Sequence, residues 1–363
     1  MSGTNARIPL DARPLVVRCG AFGDMVLLTA LLRSLDAQFG VPVDVLTSGP
    51  WSAPLLTGQP GVGVVMSVRS RRAPYWLAPD QRRAVRWLRE RGTGPVWYCD
   101  ASEAARLMLE RAGVPAPWVV DVRDHPLAPL EHATEQWRRL ALIWPAALEG
   151  VAPELRAQAR ASANQVAPGS FIAVSSAQRA DLAPWLAARG LGAAPLICVQ
   201  AGNKRTMRRG LKRLAVNHKY WPEERWAQVL RHLRAACPSH AIALLGTGPE
   251  HQLNRALMGL AHIERCYDLA DDLPIPRLMA LLERAAALIS VDSGPAHAAA
   301  AVGCPEVVLF GRASTSLYRP FGVAQADVKV LTGAFENAPS MLGIPVAQVT
   351  AAFDELRLRP ASL

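Results

Sequence analysis

Three glycine turns carry residue types that could do chemistry. At 18–32, RCGAFGDMVLLTALL, an apolar strand ends at Cys19, Gly20 and Gly23 bracket a tight turn, and an amphipathic helix starts after Asp24. Glycines there let backbone approach a ligand at a helix N-terminus. An aspartate at that mouth repels phosphate, so Asp24 is either a helix cap or a working carboxylate. At 291–311, VDSGPAHAAAAVGCPEVVLFG, a buried strand runs into Asp292, Ser293 and Gly294, then a small-residue helix. The N–H groups and hydroxyl of that turn, at the positive end of the helix, suit a diphosphate, with His297 one turn further in. The competing reading is capping by Asp292 or Ser293, with His297 a satisfied core side chain. At 244–254, LLGTGPEHQLN, Glu250 stands near a helix start, where it can bond a ribose or simply favour the helix dipole.

The fourth feature is a basic loop within QAGNKRTMRRGLKRLAVNHKYWPEERW, 200–226. It opens at Gly202 and Asn203, and from Lys204 to Lys219 it holds seven basic side chains and no acid. Following a strand, it lies at the carboxyl edge of a sheet, where open α/β folds bind ligands. Three of the four lysines in the chain (Lys204, Lys212, Lys219) fall here, in a protein whose ordinary basic residue is arginine. A local requirement for lysine is one reading; a solvated basic loop is the other.

The elements that must position these turns alternate in the parallel α/β manner. Strands are expected at 15–19, 43–47, 62–68, 96–100, 118–122 and 171–175, then at 196–201, 242–246, 287–292 and 307–310. Helical periodicity covers 25–39, 81–91, 102–112 and 133–148, and further helices start near Pro222, Glu250, Pro276 and Pro295. The stretch 176–195, ending in Gly and Pro, reads as a hinge, and 346–357 as a closing helix. Two similar α/β domains with a cleft between them follow.

Composition narrows the class. The chain has 363 residues, 50% hydrophobic and 19% charged, too long for one ordinary core and too apolar for disorder. The N-terminus has no apolar signal segment and no run is long enough to span a bilayer, so a cytoplasmic protein is expected. Six dispersed cysteines (19, 99, 198, 237, 266, 304) form no CxxC pair, which predicts reduced core side chains and no metal site. A net charge of +10 calls for something anionic: nucleic acid, a membrane surface or a phosphorylated substrate.

GAFGDMVLLTALLRSL, KYWPEERW, LLGTGPE and VDSGPAHAAAAVGCPEVVLFG, in that order over roughly residues 14–312, resemble glycosyltransferase family nine, the ADP-heptose:lipopolysaccharide heptosyltransferases. The resemblance implies a GT-B fold of two Rossmann-like domains, 1–185 for the acceptor and 186–363 for the nucleotide sugar, with a last helix that can pack back on the first. It implies inverting transfer of heptose from ADP-heptose to a lipopolysaccharide inner-core acceptor (Kdo-lipid A or heptosylated core), with no cofactor and no obligatory metal. By motif, Asp24 matches the catalytic base, with Gly20 and Gly23 beside it on the acceptor side. Lys219 matches the lysine that contacts donor phosphate during catalysis, and Gly202, Asn203 and Lys204 open the donor-side loop. Asp292, Ser293, Gly294 and His297 match the donor-binding loop, and Glu250 the acidic residue that reaches the ribose. The loop at 203–218 is longer and more basic than the family's, and the first domain outside 14–40 carries no family signature.

Two other readings stay open. One is the same fold acting on another activated sugar or another acceptor. The other is a nucleic-acid-binding protein, against which the basic loop lacks the interleaved aromatics of a stacking platform; the expectation is no nucleic acid. A membrane partner has its own signal. On a helix over 81–91, Ala84, Trp87 and Leu88 share a face while Arg82, Arg83, Arg86 and Arg89 lie around the other side. That suits the cytoplasmic face of an anionic inner membrane, or else a stripe buried in the first domain.

Overall fold

The computed structural model describes residues 8, 10–69, 73–203 and 219–360. The chain divides into two compact units, Met1–Ser170 and Phe171–Leu363.

In the first unit five strands run parallel: β1 (Leu15–Val17), β2 (Val43–Ser48), β3 (Val62–Val68), β4 (Val96–Tyr98) and β5 (Val119–Asp121). Their order is β3-β2-β1-β4-β5. β1 and β4 are buried along their whole length, which is why their sequences are apolar without alternation. The helices are α1 (Phe22–Leu27), α2 (Thr29–Phe39), α3 (Ser52–Leu56), α4 (Pro79–Glu90), α5 (Glu103–Ala112), α6 (Ala133–Ala141) and α7 (Pro153–Asn164). α2 packs on α6 and α7, and α4 on α5 and β3.

Several expectations are corrected here. The helix over 25–39 is divided at Leu28 into α1 and α2. That over 133–148 stops at Ala141, and a separate turn, Ala146–Leu148, follows Pro145. Proline disfavours helical backbone in the residue before it. On α4, Ala84 and Leu88 are fully buried with Val85 in the unit's core, so the apolar stripe is core and not a membrane face.

The second unit has six parallel strands: β6 (Leu196–Gln200), β7 (Ala241–Leu244), β8 (Cys266–Asp268), β9 (Ala287–Val291), β10 (Glu306–Phe310) and β11 (Val328–Thr332). The order is β11-β10-β9-β6-β7-β8. β8 and β11 were not expected; both are edge strands, mostly half-buried, and lack the apolar run of a central strand. Conversely, 171–175 forms no regular strand: Ile172 N–H donates to Ala301 O instead.

Around this sheet lie α8 (Ser176–Ala187), α9 (Glu223–Ala236), α10 (His251–Ala261), α11 (Ile275–Arg284), α12 (Gly294–Ala301), α13 (Thr315–Tyr318) and α14 (Val346–Asp354). The expected hinge is thus occupied by α8. Ser175 and Gln178 form its capping box, and α8 packs on α11, with Arg179 on Glu283 at 2.7 Å. The closing helix α14 packs within its own unit, on α9, β10 and β11. Among the described residues no helix is long and apolar enough to cross a membrane.

Both sheets reverse strand order next to their first strand, between β1 and β4 and between β6 and β9. Loops leaving the carboxyl ends of those strands diverge and open a crevice, the usual ligand position in such sheets.

Candidate active site

At the β1/β4 crevice the chain turns sharply through 18–24. Asp100, which follows β4 and is 4% exposed, accepts the Cys19 N–H at 2.6 Å through one oxygen and the Ser102 N–H at 2.7 Å through the other. That carboxylate ties the glycine turn to the neighbouring strand. Asp24 sits in the first turn of α1, and its Oδ2 accepts the Ala21 N–H at 2.8 Å. It is therefore not the N-cap itself; it reaches back over the turn and leaves its side chain 38% exposed. The Arg18 guanidinium donates to Cys99 O at 2.8 Å, stands 3.8 Å from Asp24 Oδ1 and lies over the Trp137 ring. Gly20 has to be glycine, because a Cβ there would meet Asp24 Cβ at 2.6 Å. Gly23 lies inside α1, half-buried.

At the β6/β9 crevice of the second unit, a lysine and an aspartate meet. Trp221 is buried, donates to Ile344 O at 3.0 Å and packs edge-on against Trp226, anchoring the chain two residues after Lys219. Lys219 Nζ contacts Asp292 Oδ2 at 2.7 Å and donates to Asp292 O at 2.9 Å. Asp292 is the first residue after β9, and its own N–H donates to Leu309 O. Ser293 occupies the N-cap position of α12 but makes no side-chain capping bond; its hydroxyl meets Ser290 Oγ at 2.9 Å. Gly294 begins α12, and His297 is buried one turn along it.

Beside them, Gln200 at the end of β6 donates to Gly202 O at 2.9 Å and to Glu250 Oε1 at 3.1 Å. Glu250 Oε2 accepts the Thr247 N–H and hydroxyl, both at 2.9 Å. Burial raises the Glu250 carboxyl above its ordinary pKa, against the pull of the Thr247 and Gln200 donors. A Cβ on Gly202 would lie 2.6 Å from Glu250 Oε1, so this close approach also needs glycine. Asn203 follows, half-buried. Lys204 and the rest of the basic loop to residue 218 lie outside the described residues.

Lys219, Asp292 and Ser293 are thus brought to one crevice, with Glu250 and Gly202 joined through Gln200 at the end of the strand next to β9. Sequence reasoning missed Gln200, Asp100 and Arg18. Their one available signal was a polar residue at the end of an apolar strand. Among the described residues no group of three or more His, Cys, Asp or Glu side chains is gathered to hold a metal, and all six cysteines are buried.

Two helix-flanked parallel sheets of Rossmann type are the pair of domains from which the GT-B class is built. The structure of ADP-heptose lps heptosyltransferase II from E. coli superposes with a TM-score of 0.70 at 18% identity, over 94% of this chain and 97% of that one. A glycosyl transferase family 9 structure from Veillonella parvula gives 0.73 at 18%, over 96% and 98%. In sequence, residues 212–340 match the model of glycosyltransferase family 9 (heptosyltransferase). Lipopolysaccharide heptosyltransferase 2 of Escherichia coli K12 is 25% identical over 118 residues, 32% of this chain. The match spans about a third of that relative's length (33%).

Proposed function

We propose that this protein is an inverting glycosyltransferase that moves heptose from ADP-heptose onto a lipopolysaccharide inner-core acceptor. The observation that carries the reading is the Lys219–Asp292 pair beside the uncapped start of α12. A departing diphosphate needs positive charge, and an ammonium together with a helix N-terminus supplies it without a metal. Asp292 carries the wrong charge to meet phosphate; its part is to hold the lysine. Gly202, Asn203, Lys204, Ser293, Gly294 and His297 complete the donor side, and Glu250 shapes it by fixing Gly202 or reaches the ribose.

Asp24 acts as general base. Its carboxylate takes the proton of the acceptor hydroxyl, the freed oxygen attacks the anomeric carbon on the face opposite the diphosphate, and the carbon–oxygen bond to ADP breaks. The first domain, with Gly20 and Gly23, takes the acceptor; the second takes the nucleotide sugar. Such an acceptor is lipid-borne, which places the work at the cytoplasmic face of the inner membrane.

The test is direct. Purified protein, ADP-heptose and a delipidated inner-core oligosaccharide should yield ADP and a product heavier by one heptose, with inverted anomeric configuration. No transfer from ADP-heptose, combined with transfer from another nucleotide sugar, would replace this reading by its closest neighbour.

A further inference from the structure

The face of α4 first suspected of meeting a membrane is buried, yet the residues just before α4 are not. Trp76 is 73% exposed and Leu77 59%, side by side in the turn Tyr75–Leu77. Trp76 is the most exposed aromatic side chain among the described residues. Its backbone is well tied. Arg82 Nη1 donates to Trp76 O at 2.5 Å and Tyr75 O at 3.3 Å, and Gln81 Nε2, itself buried, donates to Ala73 O at 3.0 Å. Tyr75 packs on the core with the Arg111 guanidinium 4.4 Å from its ring centre. So the turn is anchored through Tyr75 and its carbonyls, while its two largest apolar side chains stay in water.

Charge surrounds this pair. Arg82, Arg83 and Arg86 are exposed on the outer face of α4, and none is ion-paired to a carboxylate among the described residues. The acid at the start of α4, Asp80, accepts the Arg69 N–H at 2.5 Å.

We propose that the Tyr75–Leu77 turn and the arginine face of α4 form a docking surface for an anionic lipid bilayer, with Trp76 and Leu77 entering the headgroup boundary. Tryptophan suits that boundary because its ring is apolar and its indole N–H polar. An arginine-flanked apolar wedge gains from both anionic headgroups and acyl chains. A second copy of the chain fits less well, since a symmetric contact would press arginine against arginine. The inference rests on the proposed function only for why a membrane matters, a lipid-borne acceptor.

Full-length protein is co-sedimented with vesicles of phosphatidylcholine alone or mixed equally with phosphatidylglycerol, at low salt. Wild type should bind the mixed vesicles and not the neutral ones. Trp76→Ser with Leu77→Ser should lower the partition coefficient at least about tenfold. Arg83→Gln with Arg86→Gln should lower it about 25-fold, roughly fivefold per charge, and added salt should erase that difference. Because all four side chains are exposed or unpartnered, thermal melts should not move. Wild-type indifference to the vesicles, or undiminished binding by the Trp76/Leu77 variant, overturns the proposal. So does a Trp76/Leu77 variant that turns a dimer into a monomer in sedimentation, which would make a second copy the occupant. Transfer to a delipidated acceptor should be unchanged in both variants. If no variant and no wild type transfers sugar, the proposed function fails while the vesicle result still stands.

Discussion

Replacing Lys219 tests two consequences of one contact. Its ammonium meets Asp292 Oδ2 at 2.7 Å and Asp292 O at 2.9 Å, with the aspartate side chain 8% exposed and the lysine 24%. Pairs in open water are worth about 0.2–1 kcal/mol, whereas breaking a fully buried pair costs about 3–5 kcal/mol. This pair stands between those limits, nearer the buried one on the carboxylate side, so Lys219→Met should destabilise the second unit by about 2 kcal/mol. Asp292→Asn keeps an acceptor oxygen for the lysine and should cost less. The double variant should cost about 1–2 kcal/mol less than the sum, because it leaves no uncompensated charge. Hydrogen exchange of peptides covering 287–301 during urea titration reads this locally, separate from the first unit. Calorimetric titration of the same proteins with ADP reads the binding. A charge-assisted bond is worth about 1.5–3 kcal/mol, so Lys219→Met should weaken ADP by about 10- to 150-fold, and Asp292→Asn by much less. Strictly additive stabilities would refute the coupling. Unchanged ADP affinity in Lys219→Met would refute the placing of the diphosphate on that lysine.

Asp24→Asn keeps an oxygen that can accept the Ala21 N–H, so stability should change by under about 1 kcal/mol, while turnover falls about 10²–10⁴-fold and ADP affinity holds; wild-type turnover would make Asp24 a turn-closing residue alone. Gly202→Ala puts a methyl 2.6 Å from Glu250 Oε1 and 3.0 Å from Leu253 Cδ2, and should cost about 1–3 kcal/mol in thermal denaturation together with weaker ADP binding; a neutral outcome would mean that Glu250 yields easily. Glu306 is fully buried, neither carboxylate oxygen has a hydrogen-bond partner among the described residues, and burial raises its carboxyl well above the usual carboxylate range. The folded chain therefore holds a proton that the unfolded chain releases, and stability falls as pH rises above the unfolded-state value. Glu306→Gln should flatten that fall and raise the melting temperature at pH 8 by about 2–4 °C for each kcal/mol recovered; parallel pH profiles for the two proteins would count against it.

The central strands could be read from sequence because burial on both faces demands uninterrupted apolar runs, as in LICVQ and ALISV. β8 and β11 could not, since an edge strand faces water on one side and carries Tyr267, Asp268 and Lys329. The glycine turn at 20 showed itself by residue type, and Gly202 stood out as the opening of the basic loop. Their partners did not: Asp100 acquires meaning only when β4 lies beside β1, and Gln200 only when the turn after β7 brings Glu250 to it. The stripe on α4 left two readings open because a core-facing helix and a membrane-facing one share the same periodicity, and burial of Ala84 and Leu88 decides for the core. Adjacent exposure of Trp76 and Leu77 belongs to the fold and has no sequence pattern of its own.

The bond from Cys19 N–H to Asp100 spans 81 residues of chain. In a sheet of order β3-β2-β1-β4-β5 the central strand is synthesised first and receives its second neighbour only after three others have been made. Closing so long a loop has to precede the contacts that reward it, which slows such pairings relative to local ones. The turn bearing Asp24 therefore gains this tether only once β4 has docked. A nascent chain displays the carboxylate early but holds it in place late, so ordering of the turn can serve as a timer for completion of the first unit. Hydrogen exchange at Cys19 would follow that clock during refolding.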